Sequence, residues 1–293
     1  MNIVQIHSGL GNQMFQYALY LALRHRTPET KIDVSVFAHR PSHNGYELER
    51  VFGVRPNYAS VAERNRMADV GKEWYAQVRR ALFGARHTEG QLIHEPDPAN
   101  GWAPDILQAK NAYLQGYWQS EHYFEEVTDE VKSAFTFRQP LPEEAQQLAN
   151  TITADPNSMS VHIRRGDYLK ARRIDDYAVC NESYYRRAVA YMQAHVTNAR
   201  FYVFSDEPAW GREQQLFPAD TVFVSGHNGE QAYTDMQLMS LCRHHIIANS
   251  SFSWWGAWLG QEQETITVAP NRWFRHRPRP DIVPTRWIQI DAD

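Results

Sequence analysis

Residues 1–26 read MNIVQIHSGLGNQMFQYALYLALRHR, and this stretch decides the fold class. Ile3, Val4 and Ile6 form a short β-branched run, ended by Ser8-Gly9-Leu10-Gly11. Beyond the glycines, apolar residues recur at Met14, Tyr17, Ala18, Leu21 and Ala22, which is helical spacing. The chain therefore opens as strand, glycine-bearing turn and helix, with another strand expected around Lys31 to Phe37. That order starts an α/β unit.

Working outward, the second half repeats the pattern more clearly. Strands are expected in SMSVHIR (158–164), ARFYVFSD (199–206), DTVFVSG (220–226), HHIIANS (244–250) and TITVAP (265–270). Helices are expected between them, in residues 181–196, 208–217, 232–242 and 251–260. Such alternation builds a parallel sheet with helices on both faces. In the first half a strand is expected at Ala112 to Gln115, with GYWQSEHYFEE (116–126) opening a helix. Residues 59–104 carry a mixed pattern, with helical stretches near Ala62 to Met67 and Glu73 to Leu82. The Pro-flanked segment 138–158 reads as a join, giving an N-terminal domain 1–152 and a C-terminal domain 153–293. The proline-rich tail RHRPRPDIVPTRWIQID (275–291) is expected to run extended and cross back onto the body, with the N-terminal domain a candidate surface.

A chain of 293 residues exceeds what one hydrophobic core usually holds. With 43% hydrophobic and 22% charged residues it is a folding composition. A formal charge of -4 gives no net attraction to nucleic acid, which is not expected as a partner. Nine Trp and fifteen Tyr suit either core filling or packing on sugar rings. The two cysteines, Cys180 and Cys242, are expected as reduced thiols. No basic leader with an apolar core and no run of about 18 apolar residues is found, so a cytoplasmic bacterial protein is expected. The basic tail Arg272 to Arg279 offers at most a weak peripheral contact with the inner face of a membrane. Its plainer reading is a solvated, proline-stiffened segment.

In parallel sheets ligands sit at the carboxyl ends of strands, and four strand ends carry unusual residues. In His7-Ser8-Gly9-Leu10-Gly11-Asn12-Gln13 the glycines allow close backbone approach, and Asn12 is suited to cap the helix or to donate to a phosphate. The set lacks both the GxGxxG fingerprint and the P-loop lysine. In Val161-His162-Ile163-Arg164-Arg165-Gly166-Asp167-Tyr168, residues two apart face one way, so His162 and Arg164 point to the same side. Arg164 and Arg165 offer the forked donors a diphosphate accepts, unless one of them pairs structurally with Asp167. In Phe204-Ser205-Asp206-Glu207-Pro208, Asp206 is either a helix cap or an acceptor for the two N–H donors of a guanine edge. In the run Asn249-Ser250-Ser251-Phe252-Ser253 there are more small polar groups than capping requires, suited to a phosphate or a sugar.

Taken together, the blocks GLGNQMFQYA (9–18), HIRRGDY (162–168), FSDEP (204–208) and DMQLMSLCRHHIIANSSFSWWGAWL (235–259) resemble the bacterial α-1,2-fucosyltransferases of glycosyltransferase family 11. The resemblance covers nearly the whole chain, and only loosely residues 59–104. It implies a GT-B arrangement, two Rossmann-like domains facing across a cleft, with the N-terminal domain on the acceptor side and the C-terminal domain holding GDP-fucose. It implies that Arg164 binds the β-phosphate and that His162 and Asp206 hold the guanine. Ser251, Phe252 and Ser253 would line the phosphate and fucose pocket, and Gly11 and Asn12 would close over the diphosphate.

The implied reaction is inverting transfer of L-fucose to the 2-hydroxyl of a galactose-terminated oligosaccharide, in surface glycan synthesis. No cofactor and no metal are expected, because these blocks hold no DxD sequence of the kind that chelates a metal between phosphates. Arg164 and helix N–H groups would instead offset charge on departing GDP. Asp167 is the candidate base. Related α-1,6 enzymes place a glutamate five residues beyond this aspartate, where this chain has Arg172. Three other readings stand beside this one: transfer from another GDP-sugar or to another linkage, a catalytically inactive sugar-binding module, and a dinucleotide-dependent oxidoreductase, which the missing glycine fingerprint disfavours.

Overall fold

The computed structural model describes residues 1–39, 43–71, 74–84, 86–166, 168–169, 174–177, 180–225, 227 and 229–292. The chain divides into two compact units, Met1–Arg138 and Gln139–Asp293. The helix Glu143–Ala154 thus belongs to the second unit, where its apolar stripe of Ala145, Ala149 and Ile152 is buried.

The first unit is built on a parallel sheet of β1 (Ile3–Gln5), β2 (Lys31–Asp33), β3 (Gln91–His94) and β4 (Ala112–Gln115), in the order β2-β1-β4-β3. Its first helix, Leu10–Arg26, is buried nearly all round as far as Leu23. Two buried polar residues make that possible. Gln13 donates to the carbonyls of Ser8 and Gly45 (both 2.8 Å) and accepts from the Glu47 N–H (2.9 Å). Gln16 accepts from the His7 N–H (2.8 Å) and donates to the Gly116 carbonyl (3.0 Å). Each glutamine satisfies loop backbone that burial would otherwise leave unpaired.

Three expectations for this unit are corrected. The second strand stops at Asp33, because the Asp33 carboxylate accepts from the Ser35 N–H (2.8 Å) and turns the chain into the short helix Val36–His39. The segment 116–126 is not a helix. Trp118 takes a left-handed φ of 55°, and 3-10 turns at Glu121–Tyr123 and Glu125–Val127 lead into the helix Thr128–Ala134. Strand β3 lies inside the stretch whose pattern was mixed. Its residues are mostly exposed, so alternation gave no signal there.

The second unit holds β5 (Ser158–Ile163), β6 (Arg200–Ser205), β7 (Val222–Val224), β8 (His244–Ile246), β9 (Thr267–Pro270) and β10 (Ile288–Ile290). All pair in parallel, in the order β10-β9-β8-β5-β6-β7. Numbered within the unit, this is 6-5-4-1-2-3, the order of a doubly wound Rossmann sheet. The five strands expected here are present, and the tail contributes the sixth. On β5, Met159, Val161 and Ile163 belong to a core cluster with Tyr184, Tyr185, Ala188 and Met192 of the helix Glu182–His195. The alternate residues behave differently: Ser160 bonds His245 (2.8 Å), and His162 lies against Phe252.

The tail is anchored by more than β10. The Trp254 indole donates to the Ile282 carbonyl (2.6 Å), and Trp287 packs on Trp254 with centroids 5.4 Å apart. Arg277 pairs with Asp176, and Arg277 and Arg279 lie over Phe274. Both cysteines are free thiols. Among the described residues no helix is long and apolar enough to cross a membrane.

Candidate active site

A ligand is expected where strand order reverses. In the second sheet that point lies between β5 and β8, adjacent strands whose chains continue to opposite sides of the sheet. Three of the polar strand ends read from the sequence therefore fall on β5, its other neighbour β6, and β8.

Arg164 and Arg165 follow β5 directly. The Arg164 Nη1 lies 3.1 Å from Asp206 Oδ2, and Asp206 Oδ1 accepts from the Arg165 N–H at 3.0 Å. Asp206 follows β6, so the pairing of Ile163 with Ser205 brings the two loops level. A Cβ on Gly166 would stand 2.8 Å from Asp206 Oδ2, which explains glycine at that position. The Arg165 guanidinium is held over the Trp210 ring at 4.1 Å and lies 3.4 Å from Glu207. The Arg164 guanidinium lies 5.5 Å from the centre of the Tyr168 ring. The two arginines are thus placed by acidic and aromatic neighbours from the loop and helix after β6 and by Tyr168 of their own loop. Asp167, the candidate base, and Arg172 lie outside the described residues.

The loop after β8 is tied to the same group. The Tyr168 hydroxyl donates to the Asn249 carbonyl (3.1 Å). The Asn249 amide nitrogen donates to the carbonyls of Tyr177 (3.0 Å) and Trp273 (2.9 Å), and its oxygen accepts from the Cys180 thiol (3.5 Å). Both amide protons are spent inside the protein. Ser250 is the N-cap of the helix Ser251–Leu259, accepting from the Phe252 N–H (3.3 Å). Ser253 is buried, with its hydroxyl directed at the carbonyls of Ala248 and Ser250. Ser251 and Phe252 remain partly exposed.

His162 is buried with its ring 5.9 Å from that of Phe252, and its carbonyl accepts from the Tyr185 hydroxyl (3.0 Å). Burial, reinforced by the Arg164 charge, lowers its pKa to about 3, so the imidazole is neutral at ordinary pH. Its Nδ1 has no hydrogen-bond partner among the described residues. A buried polar atom left unpaired is costly, which makes it a natural contact for a ligand.

In the first unit the helix starts earlier than expected. Gly9 is its N-cap, after Ser8 at a φ of 70°, and no side chain caps it. Asn12 is inside the first turn and accepts from the Gln119 amide (2.7 Å), so it is not the cap. Gly11 is buried beside it. Sequence reading passed over Tyr168, Glu207 and Trp210. The first two stand inside quoted motifs, and the third lies one helical turn beyond Glu207.

The model of a family described as Glycosyl transferase family 11 matches residues 105–291. The chain is 31% identical to "Alpha-1,2-colitosyltransferase" of Escherichia coli, across 99% of this chain and 98% of that protein. It is 27% identical to "O-antigen biosynthesis glycosyltransferase WbnK" of Escherichia coli, across 97% and 99%. Among solved structures it is similar to POFUT1 in complex with GDP-fucose, with a TM-score of 0.50 and 11% identity over 92% of this chain and 97% of that one. At that identity the likeness concerns the fold alone, which is α/β of the GT-B type with two Rossmann-like units.

Proposed function

The chain belongs to glycosyl transferase family 11, and from that membership we propose that it transfers L-fucose from GDP-β-L-fucose to the 2-hydroxyl of a terminal β-galactoside, forming an α-1,2 linkage with inversion. The observation that carries this reading is the convergence of the Arg164 loop and the Ser250-capped helix at the reversal of strand order, bridged by Tyr168. A fixed guanidinium beside a helix N-terminus is suited to a diphosphate leaving group.

In this mechanism the galactoside hydroxyl attacks the anomeric carbon as the bond to GDP breaks. Arg164, with Arg165 behind it, offsets the charge that grows on the departing phosphate, and no metal ion is invoked. Asp206 fixes the Arg164 fork through its carboxylate. The neutral His162 offers Nδ1 to the guanine. Ser251 and Phe252 border the sugar, while Asn249 and Ser253 hold the loop in shape. Asp167 remains the proposed base.

A second reading is favoured by the relative named for colitose transfer. Colitose is fucose without its 3-hydroxyl. Choice between the two donors therefore turns on whether a polar group reaches that position, because a site built to bond a hydroxyl rejects a substrate lacking it. The deciding experiment supplies GDP-fucose and GDP-colitose separately with a panel of terminal galactosides, followed by linkage analysis. An α-1,2-fucosylated product supports the first reading. Transfer of colitose alone replaces it with the second, and hydrolysis without transfer to any galactoside removes both.

A further inference from the structure

The helix Trp74–Phe83 of the first unit is amphipathic in the inverted sense. At 100° per residue, Trp74, Val78, Leu82, Tyr75 and Ala81 share one arc, and Ala76 lies opposite, near Arg79 and Arg80. The buried side is the polar one. Ala76 is buried, Arg79 and Arg80 both pair with Asp69, and Arg80 also donates to the Gly71 carbonyl (2.5 Å). The apolar arc faces outward: Trp74 is 76% exposed, Tyr75 58%, Val78 47% and Leu82 69%. Large apolar residues scattered over a surface need no explanation, but four on one arc of a single short helix are a patch.

Two observations say what covers it. The first is charge. Residues 72–89 contain Lys72, Arg79, Arg80, Arg86 and His87 against two carboxylates, Glu73 and Glu89. Only Asp69 offsets the cations among the contacts above, and Arg86 and His87 are exposed just past the helix. The second is composition, since Trp and Tyr beside aliphatic residues are the side chains that settle at a lipid–water boundary. A short convex stripe with a cationic border fits shallow insertion into a bilayer, about 5–10 Å deep.

We propose that the helix Trp74–Phe83 docks the protein on an anionic lipid surface, with Trp74, Tyr75, Val78 and Leu82 entering the headgroup boundary and Arg86 and His87 meeting the phosphates. The surface lies outside the residues assigned to donor binding and does not depend on which sugar is transferred. It also moves the membrane contact away from the tail, whose Arg277 is engaged with Asp176 and Phe274.

The test is flotation of the full chain with phosphatidylcholine vesicles, with and without phosphatidylglycerol, at low and high salt. The wild type should float with the anionic vesicles and lose binding as salt rises. The double variant Val78→Glu/Leu82→Glu should bind at least about tenfold more weakly, with an unchanged melting curve. The uncharged pair Trp74→Ser/Leu82→Ser should weaken binding in the same direction, which separates lost insertion from added repulsion. A wild type that stays unbound in every lipid overturns the proposal, as do variants that float like it. So does a wild-type dimer by sedimentation that the variants convert to monomer, which would make a second copy the occupant.

Discussion

Arg164 Nη1 stands 3.1 Å from Asp206 Oδ2, while Asp206 Oδ1 holds the Arg165 N–H at 3.0 Å. One carboxylate just beyond β6 therefore fixes both the direction of the Arg164 fork and the backbone that follows it. Arg164→Ala should lower kcat by roughly 10²-fold or more, and Arg164→Lys should restore little because the fork is lost. Steady-state kinetics within a few-fold of wild type for both variants would remove Arg164 from its role.

Gly166→Ala separates placement from folding. The new Cβ would meet Asp206 Oδ2 at 2.8 Å, and the end of that side chain is free to swing aside. The fold should survive while the Arg164–Asp206 pair is broken. We expect a loss of kcat/KM approaching that of Arg164→Lys, with little change in Tm. Full activity in Gly166→Ala would show that the pair does not position Arg164.

Asn249 should act through stability. Its amide bonds the carbonyls of Tyr177 and Trp273 and accepts from the Cys180 thiol, so Asn249→Ala removes three hydrogen bonds and should cost about 1–3 kcal/mol, read by urea unfolding. An unchanged unfolding midpoint with a raised KM for the donor would make it a donor contact instead.

Acid should destabilise the second unit through two imidazoles. His162 and His245 are buried neutral, each with its pKa lowered to about 3, chiefly by desolvation. An unfolded histidine titrates near 6.5. Between these values the unfolded chain binds more protons, so the stability present above about pH 6.5 falls as pH drops, by ~1.4 kcal/mol per pH unit for each group. His245→Gln, away from the donor residues, should remove that group's share of the slope. A slope identical to wild type would show that His245 is protonated in the folded protein.

Chelation tests the charge-stabilising role of the arginines. With Arg164 and Arg165 supplying the positive charge, EDTA should leave the transfer rate unchanged. Activity abolished by EDTA and restored by Mg²⁺ would overturn the metal-free mechanism.

Legibility followed burial. In the second unit β5, β6, β8 and β9 were readable because they are buried along most of their length and carry β-branched or aromatic residues between turn signals, with β5 alternating Met159, Val161 and Ile163 with Ser160 and His162. Strand β3 escaped because its residues are mostly exposed. The false helix at 116–126 arose because side-chain spacing does not reveal a left-handed φ at Trp118. Within the site, the sequence marked Arg164, Arg165 and Asp206 as polar residues at strand ends. It left open which carboxylate pairs with which arginine.

What the sequence determined by itself is local: the alternation of strand and helix, the polar strand ends, and the motifs that carry the family resemblance. Those are properties of short windows, set by periodicity and by backbone preference. Tertiary structure decided the rest. The parallel pairing of β5 with β6 and β8 set Asp206 beside Arg164 and brought Tyr168 to Asn249. It also made Asn249 a brace and left His162 Nδ1 without a partner among the described residues. A hydrogen bond between residues 42 positions apart depends on which strands lie side by side, and that order follows from how the layers bury their apolar faces, which no short window of sequence contains.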